Sequence, residues 1–225
     1  MNKLLEQLEI ELSEWLTGFW EGDGSVGNAN GTPEVCFYQR DIETLRYISS
    51  LVCSRGRFES RSDGAFVLLY WSKESRYLLR LFCKHLVHPG LGERLFALSR
   101  TFDWNLDVRL HSPTLPWVVG FWDAEGSSSV PDKGVQPVIY QKDIRVLGKI
   151  QGLIGGHLYI PTSGCPRLAL SGSDARRFVR LCLIYSHNIS KLNSLKVHLY
   201  LATKLSPTWA QEFEFHPTRL IDGAQ

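Results

Sequence analysis

A chain of 225 residues, 44% hydrophobic and 21% charged, has the make-up of a globular protein and is long enough for one large domain or two small ones. Its formal charge of +2 is too small to argue for a nucleic-acid partner, although residues 1–112 balance to −2 (13 Lys and Arg, 15 Asp and Glu) and residues 113–225 to +4 (12 against 8). No charged leader runs into a long apolar stretch and nothing approaches the roughly 18 apolar residues of a membrane span. Five cysteines without a CxxC fit neither a zinc site nor a disulfide framework, so free thiols in a reducing, intracellular compartment are expected.

In chain order, Lys3 to Leu12 places Leu4, Leu5, Leu8 and Leu12 on one helical face with acids opposite, a short amphipathic helix. Ser13 is placed to cap a second helix that runs to Asp23. The NANGTP stretch at 28–33 reads as a turn before a strand over Glu34 to Tyr38. Asp41 is placed to cap a helix whose Ile42, Leu45, Ile48, Leu51 and Val52 share a face. A hairpin follows, Arg57 to Arg61 and Ala65 to Trp71, turning at Ser62 to Gly64. Ser72 is placed to cap a helix containing Tyr77, Leu78, Leu81 and Phe82; Pro89 and Gly90 break it, and Leu91 to Phe102 supplies another. Asn105 to Pro116 is a polar, proline-containing connector.

Beyond the connector the chain repeats itself. Trp15 to Ser25, WLTGFWEGDGS, returns as Trp117 to Ser127, WVVGFWDAEGS, at an offset of 102. In the same register Tyr38, Gln39, Asp41, Ile42, Leu45, Ile48 and Leu51 meet Tyr140, Gln141, Asp143, Ile144, Leu147, Ile150 and Leu153. The second pair of hairpins is expected at Ser127 to Tyr140 and His157 to Leu170, after which the offset falls to 100 and Arg76, Arg80 and Leu81 match Arg176, Arg180 and Leu181. The tail after Pro207 has no counterpart.

Gly18 and Gly22 stand four apart, as do Gly120 and Ala124, so each repeated stretch, if helical, carries a ridge almost without side chains. A helix-interior glycine costs about 1 kcal/mol relative to alanine, which suggests that another backbone comes close, most simply the other copy. Crossing there would set Asp23 and Glu125 side by side at two helix C-termini, whose dipoles favour a cation. Adjacent carboxylates repel unless a proton or a metal intervenes, and hard divalent ions take such ligands.

The two stretches resemble the paired signature motifs of a monomeric LAGLIDADG homing endonuclease. Leu16, Gly18, Asp23 and Gly24 keep the signature letters in the first copy, where Thr17, Glu21 and Gly22 depart; Gly120, Asp123, Ala124 and Gly126 keep them in the second, where Val118, Val119 and Glu125 depart. The resemblance implies an α+β fold of two pseudo-symmetric αββαββα repeats, with four-stranded antiparallel sheets forming a DNA-binding saddle and the signature helices packed between them. Residues 1–104 would be the first repeat, 105–115 a linker, 116–206 the second repeat and 207–225 a C-terminal tail.

It also implies a site-specific endonuclease that hydrolyses both strands of a long double-stranded DNA target with Mg²⁺ or Mn²⁺, Ca²⁺ being able to occupy the sites without cleavage. Asp23 and Glu125 would be catalytic metal ligands, with Gly22 and Ala124 beside them. Gln39 and Gln141, each 16 residues past its carboxylate, match the position that orients water or phosphate, and Lys191 matches the basic residue near the start of the last helix, where the first copy has Leu91, with Arg94 the nearest cation. Asp41 and Asp143 read as helix caps. Polar residues alternating along the strands and turns supply candidate DNA contacts: Glu34, Arg40, Arg57, Glu59, Arg61, Lys133, Gln136, Lys142, Arg145, His157, Tyr159 and Arg167. Relatives by resemblance include RNA maturases and DNA-binding proteins that do not cleave, which gives the alternative reading. The seven histidines form no cluster typical of other nucleases.

Overall fold

The computed structural model describes residues 3–52, 56–132 and 134–213. The first half runs α1 (Lys3–Asp23), β1 (Gly24–Ala29), β2 (Thr32–Gln39), α2 (Ile42–Leu51), β3 (Arg57–Ser60), β4 (Phe66–Trp71), α3 (Ser72–Cys83) and α4 (Pro89–Thr101). The second repeats that order as α5 (Leu115–Glu125), β5 (Gly126–Ser129), β6 (Gln136–Tyr140), α6 (Ile144–Ile154), β7 (His157–Tyr159), β8 (Arg167–Ala169), α7 (Gly172–Tyr185) and α8 (Ile189–Leu205), followed by α9 (Pro207–Glu212). Each half therefore closes with two helices, one more than αββαββα. Both sheets are antiparallel and ordered alike, β1-β2-β4-β3 and β5-β6-β8-β7.

The halves meet along α1 and α5, and the small residues explain how closely. A Cβ added at Gly18 would lie 2.0 Å from the Trp117 carbonyl oxygen, one at Gly120 2.0 Å from that of Trp15, and one at Gly22 2.5 Å from the Ala124 Cβ. The pair is wrapped in buried aromatics, Trp15, Phe19, Trp20, Trp117, Phe121 and Trp122, which join the core of one half to that of the other. On each sheet the face toward the helices carries the core side chains, Val35, Phe37, Leu68 and Tyr70 in the first and Ile139 and Leu168 in the second.

The structure departs from the sequence reading at several points. Residues 3–23 form one helix rather than two, because the Ser13 hydroxyl donates back to the Ile10 carbonyl instead of accepting from an N–H ahead of it. Ser72 does not cap α3; it is the first helical residue, at φ +51°, and Gly172 takes the same place in α7 at φ +56°. Pro89 opens α4 instead of merely ending α3, its missing N–H costing nothing at that position. The connector is held down: Trp104 stacks on Phe102 with ring centroids 4.8 Å apart, the Arg76 guanidinium lies 5.0 Å from the Trp104 ring, and Leu106 and Val108 pack against the core. In the tail, α9 buries Trp209, and Glu212 pairs with Arg176 and Arg180.

The sheet face away from the helices was expected to be polar, and in the first half it is not wholly so. Cys36, Val67 and Leu69 form a small buried cluster there, with Tyr38 and Trp71 packed against it. Tyr38 and Trp71, long side chains on the same central strands β2 and β4, supply the cover on this side. Among the described residues no helix is long and apolar enough to cross a membrane. Cys36, Cys83, Cys165 and Cys182 are free thiols; Cys53 lies outside the described residues.

Candidate active site and nucleic-acid interface

Asp23 is the last residue of α1 and Glu125 the last of α5, so the close crossing delivers both carboxylates to one seam where two helices end. The Glu125 Cγ lies 3.1 Å from where a Gly22 Cβ would stand, one residue from Asp23. Neither helix has a basic residue in its last turn. Burial, and then repulsion from Asp23, pushes the Glu125 carboxyl up to about 7 against the pull of Lys191 and Lys142. Burial likewise raises Asp23, opposed by Lys191 and by the Gln39 amide.

Lys191 enters from the first turn of α8. Its Nζ donates to the Trp122 carbonyl at 3.1 Å and the Ala124 carbonyl at 2.6 Å, and lies 5.9 Å from the Trp122 ring centroid. Burial depresses its pKa while Asp23, Asp123 and Glu125 hold it up. Leu91, at the matching position of α4, is buried in the core, and Arg94 is exposed.

The two glutamines behave differently. Gln39 Nε2 donates to Asp23 Oδ2 at 3.2 Å, whereas Gln141 Oε1 accepts from the Asp143 N–H at 3.1 Å and folds back on its own turn. Asp41 and Asp143 cap α2 and α6, accepting from the Glu43 and Arg145 N–H groups. Asp143 also takes both a 2.9 Å and a 2.7 Å bond from the Arg145 side chain, which sits in the first turn of α6 and not on a sheet.

A second pair of acids carries no assignment in the sequence reading, yet it organises the seam. Glu21 is buried and accepts from the Val87 and His88 N–H groups at the start of α4; Asp123 is buried and accepts from Ser186 Oγ and the His187 and Asn188 N–H groups at the start of α8. Each is completed from the other half: the Trp117 indole donates to Glu21 at 3.0 Å and the Trp15 indole to Asp123 at 2.9 Å. Burial outweighs these donors and pushes Glu21 up to about 7 and Asp123 up to about 6. The repeated register, in which Trp15 matches Trp117 and Glu21 matches Asp123, is the signal that could have located them.

The remaining candidates lie on the sheet face away from the helices or at its rim. Glu34 accepts from the Trp71 indole at 2.6 Å, Arg57 pairs with Glu59 at 3.1 Å, and the Arg61 guanidinium lies 5.6 Å from the Tyr38 ring. In the second half Arg167 lies 5.3 Å from the Tyr159 ring, while His157 on β7 is exposed and Gln136 on β6 half-buried. Arg40 and Lys142 are exposed at matching turns after β2 and β6. Lys133 lies outside the described residues.

As a cation site the seam offers hard oxygen ligands, two carboxylates at the negative ends of two helix dipoles. Among the described residues no group of three or more His, Cys, Asp or Glu could hold a metal. Two carboxylates are nevertheless the usual protein share at a Mg²⁺ site completed by water and substrate phosphate, so the residues present fit such an ion.

Twin sheets ordered alike and signature helices crossed at glycine define the LAGLIDADG meganuclease fold. In particular, the chain is similar to meganuclease I-SmaMI bound to uncleaveable DNA, with a TM-score of 0.65 at 15% identity over 95% of this chain and 98% of that one. It is similar to LAGLIDADG meganuclease I-AabMI bound to uncleaved DNA, with a TM-score of 0.63 at 13% identity over 95% and 99%. I-SmaMI bound to an uncleaved DNA target in the presence of calcium ions gives 0.57 at 14% over 89% and 95%. No family profile and no curated protein matches the sequence.

Proposed function

We propose that this chain is a monomeric, site-specific DNA endonuclease of the homing type that cuts both strands of its target with a divalent ion, residues 1–104 and 116–206 acting as its two repeats across the linker 105–115. One observation carries the reading: Asp23 and Glu125 end two crossing helices in a single seam, coupled to each other and both to Lys191. DNA in the I-SmaMI and I-AabMI complexes, and calcium in one of them, support a duplex substrate and a divalent ion.

In this reading Asp23 and Glu125 would hold divalent ions, with the Gly22 and Ala124 backbone beside them. Such ions, when bound, would supply a lowered pKa for the attacking water and neutralisation of charge on the leaving oxygen. Gln39 orients the Asp23 carboxylate through the 3.2 Å bond; Gln141 acts once it leaves the Asp143 N–H for water or phosphate. The Lys191 ammonium faces the developing negative charge. Gln136, His157, Arg167, Arg57, Glu59 and Glu34 read base edges in the major groove, and Arg40, Arg61, Lys142 and Tyr159 meet the backbone. Lys133, outside the described residues, is assigned to the same contacts from the sequence, and Arg145 joins them only by giving up Asp143.

A cleavage screen on a randomised duplex library in Mg²⁺, run beside Asp23→Asn and Glu125→Gln, tests this. Each variant is expected to slow the cut of one strand by on the order of 10² or more while binding is retained. Undiminished double-strand cutting by both variants refutes the assignment, and a library bound with steep salt dependence yet never cut points to the non-cleaving alternative.

A further inference from the structure

Across the second sheet, Tyr140, Arg167 and Tyr159 are direct cross-strand neighbours on β6, β8 and β7. Ile139 and Leu168, adjacent to them in the chain, fill the core, so this row stands on the opposite, outward face. With Ile160, Pro161 and Cys165 from the turn after β7, the row lines a cleft of about 340 Å³. Arg167 is exposed there, and its guanidinium lies 5.3 Å from the Tyr159 ring, a contact that steadies the plane through its face and uses none of its five N–H donors. Arg57 and Arg145 spend theirs on Glu59 and Asp143, whereas among the described residues no carboxylate pairs with Arg167. Ile160, at 65% exposure, is among the most exposed large apolar side chains of the described residues.

We propose that this cleft reads one base step: Arg167 donates a bidentate pair of hydrogen bonds to O6 and N7 of a guanine, while Ile160 and Pro161 cover the 5-methyl group of a thymine in the neighbouring base pair. The proposal rests on the outward sheet faces meeting duplex DNA in its major groove. There guanine alone presents two acceptors side by side, which a flat guanidinium fork matches, and thymine alone presents a methyl group, which an apolar wall favours. A phosphate would also accept from an arginine, but β8 is a central strand and Arg167 stands between two tyrosines on the floor of the sheet, away from its rim. The matching row of the first sheet is Tyr38, Val67 and Glu59, with Val67 buried where Arg167 is exposed. The two halves therefore ask for different letters at matching positions of the target.

The test is selection of bound duplexes from a randomised library in Ca²⁺ at low salt, by the full chain, Arg167→Ala and Ile160→Ser, with circular dichroism checking the fold of each. The full chain is expected to enrich a guanine beside a thymine in one half-site only. Arg167→Ala loses the guanine preference by at least about fivefold, and Ile160→Ser keeps the guanine but relaxes the thymine. On the selected duplex, uracil in place of that thymine removes the methyl group alone; it should weaken binding by the full chain about three- to fivefold and leave Ile160→Ser unaffected. A guanine preference that survives in Arg167→Ala, or a uracil duplex bound by the full chain as tightly as the thymine one, overturns the proposal and leaves the endonuclease reading standing. A folded full chain that enriches no duplex at all overturns the nucleic-acid reading itself.

Discussion

Replacing Gly18 with alanine tests the crossing of α1 and α5 by the sign of its effect. The added methyl would sit 2.0 Å from the Trp117 carbonyl oxygen, where ordinary contact begins at 3.4 Å, so the helices must part by about 1.4 Å. Parting them stretches the Trp15–Asp123 and Trp117–Glu21 bonds, now 2.9 and 3.0 Å, beyond hydrogen-bonding range. Overpacking costs about 1–3 kcal/mol, and each weakened bond to a buried carboxylate about 1.5–3 kcal/mol. Better helix propensity returns only about 1 kcal/mol. The net expectation is a loss of about 3 kcal/mol or more. Gly148→Ala is the control, since nothing lies within 4 Å of its added Cβ on α6, and it should stabilise by about 0.5–1 kcal/mol. Urea unfolding followed by tryptophan fluorescence measures both. A Gly18→Ala protein as stable as the parent, or a Gly148→Ala protein equally damaged, would show that close approach of the helices is not what keeps glycine there.

Ser72→Gly should raise stability by about 1 kcal/mol in the same assay, because a non-glycine residue held at φ +51° is strained where Gly172 occupies the equivalent place freely. Trp15→Phe should lower it by about 1–2 kcal/mol, since Asp123 then keeps its burial but loses a donor from the other half. The folded pKa of Glu21 lies above its ordinary value, so its contribution to stability is complete in acid and is lost as pH rises through about 7. Unfolding midpoints at pH 5 and pH 8 should therefore differ more for the parent than for Glu21→Gln, and equal slopes would contradict this.

What the sequence made legible was whatever follows from register and helix geometry. Gly18 and Gly120 announced the crossing because only a backbone neighbour explains small residues at that spacing, and Asp23 and Glu125 followed because each holds the same place in its signature stretch. Asp41 and Asp143 were readable as caps because a cap acts on N–H groups within its own turn. Ser13 and Ser72 were misread by the same local rule: the first bonds backwards inside a continuing helix, and the second lies one residue too late. The partners of Glu21 and Asp123 come from more than 60 positions away, which no local pattern encodes. The different postures of Gln39 and Gln141, and the cover over Cys36 and Val67, are settled by side-chain packing that spacing leaves open.

The exchanged indoles set a rule for anyone who would cut this polypeptide in two or graft half of it onto a distant cousin. A fragment ending in the connector would carry Glu21 without Trp117, and its complement Asp123 without Trp15, so each piece alone would expose a carboxyl group shaped for a donor it no longer owns. Fragments mixed together should find one another, and a hybrid will tolerate a foreign half only if that half brings a tryptophan at the right turn.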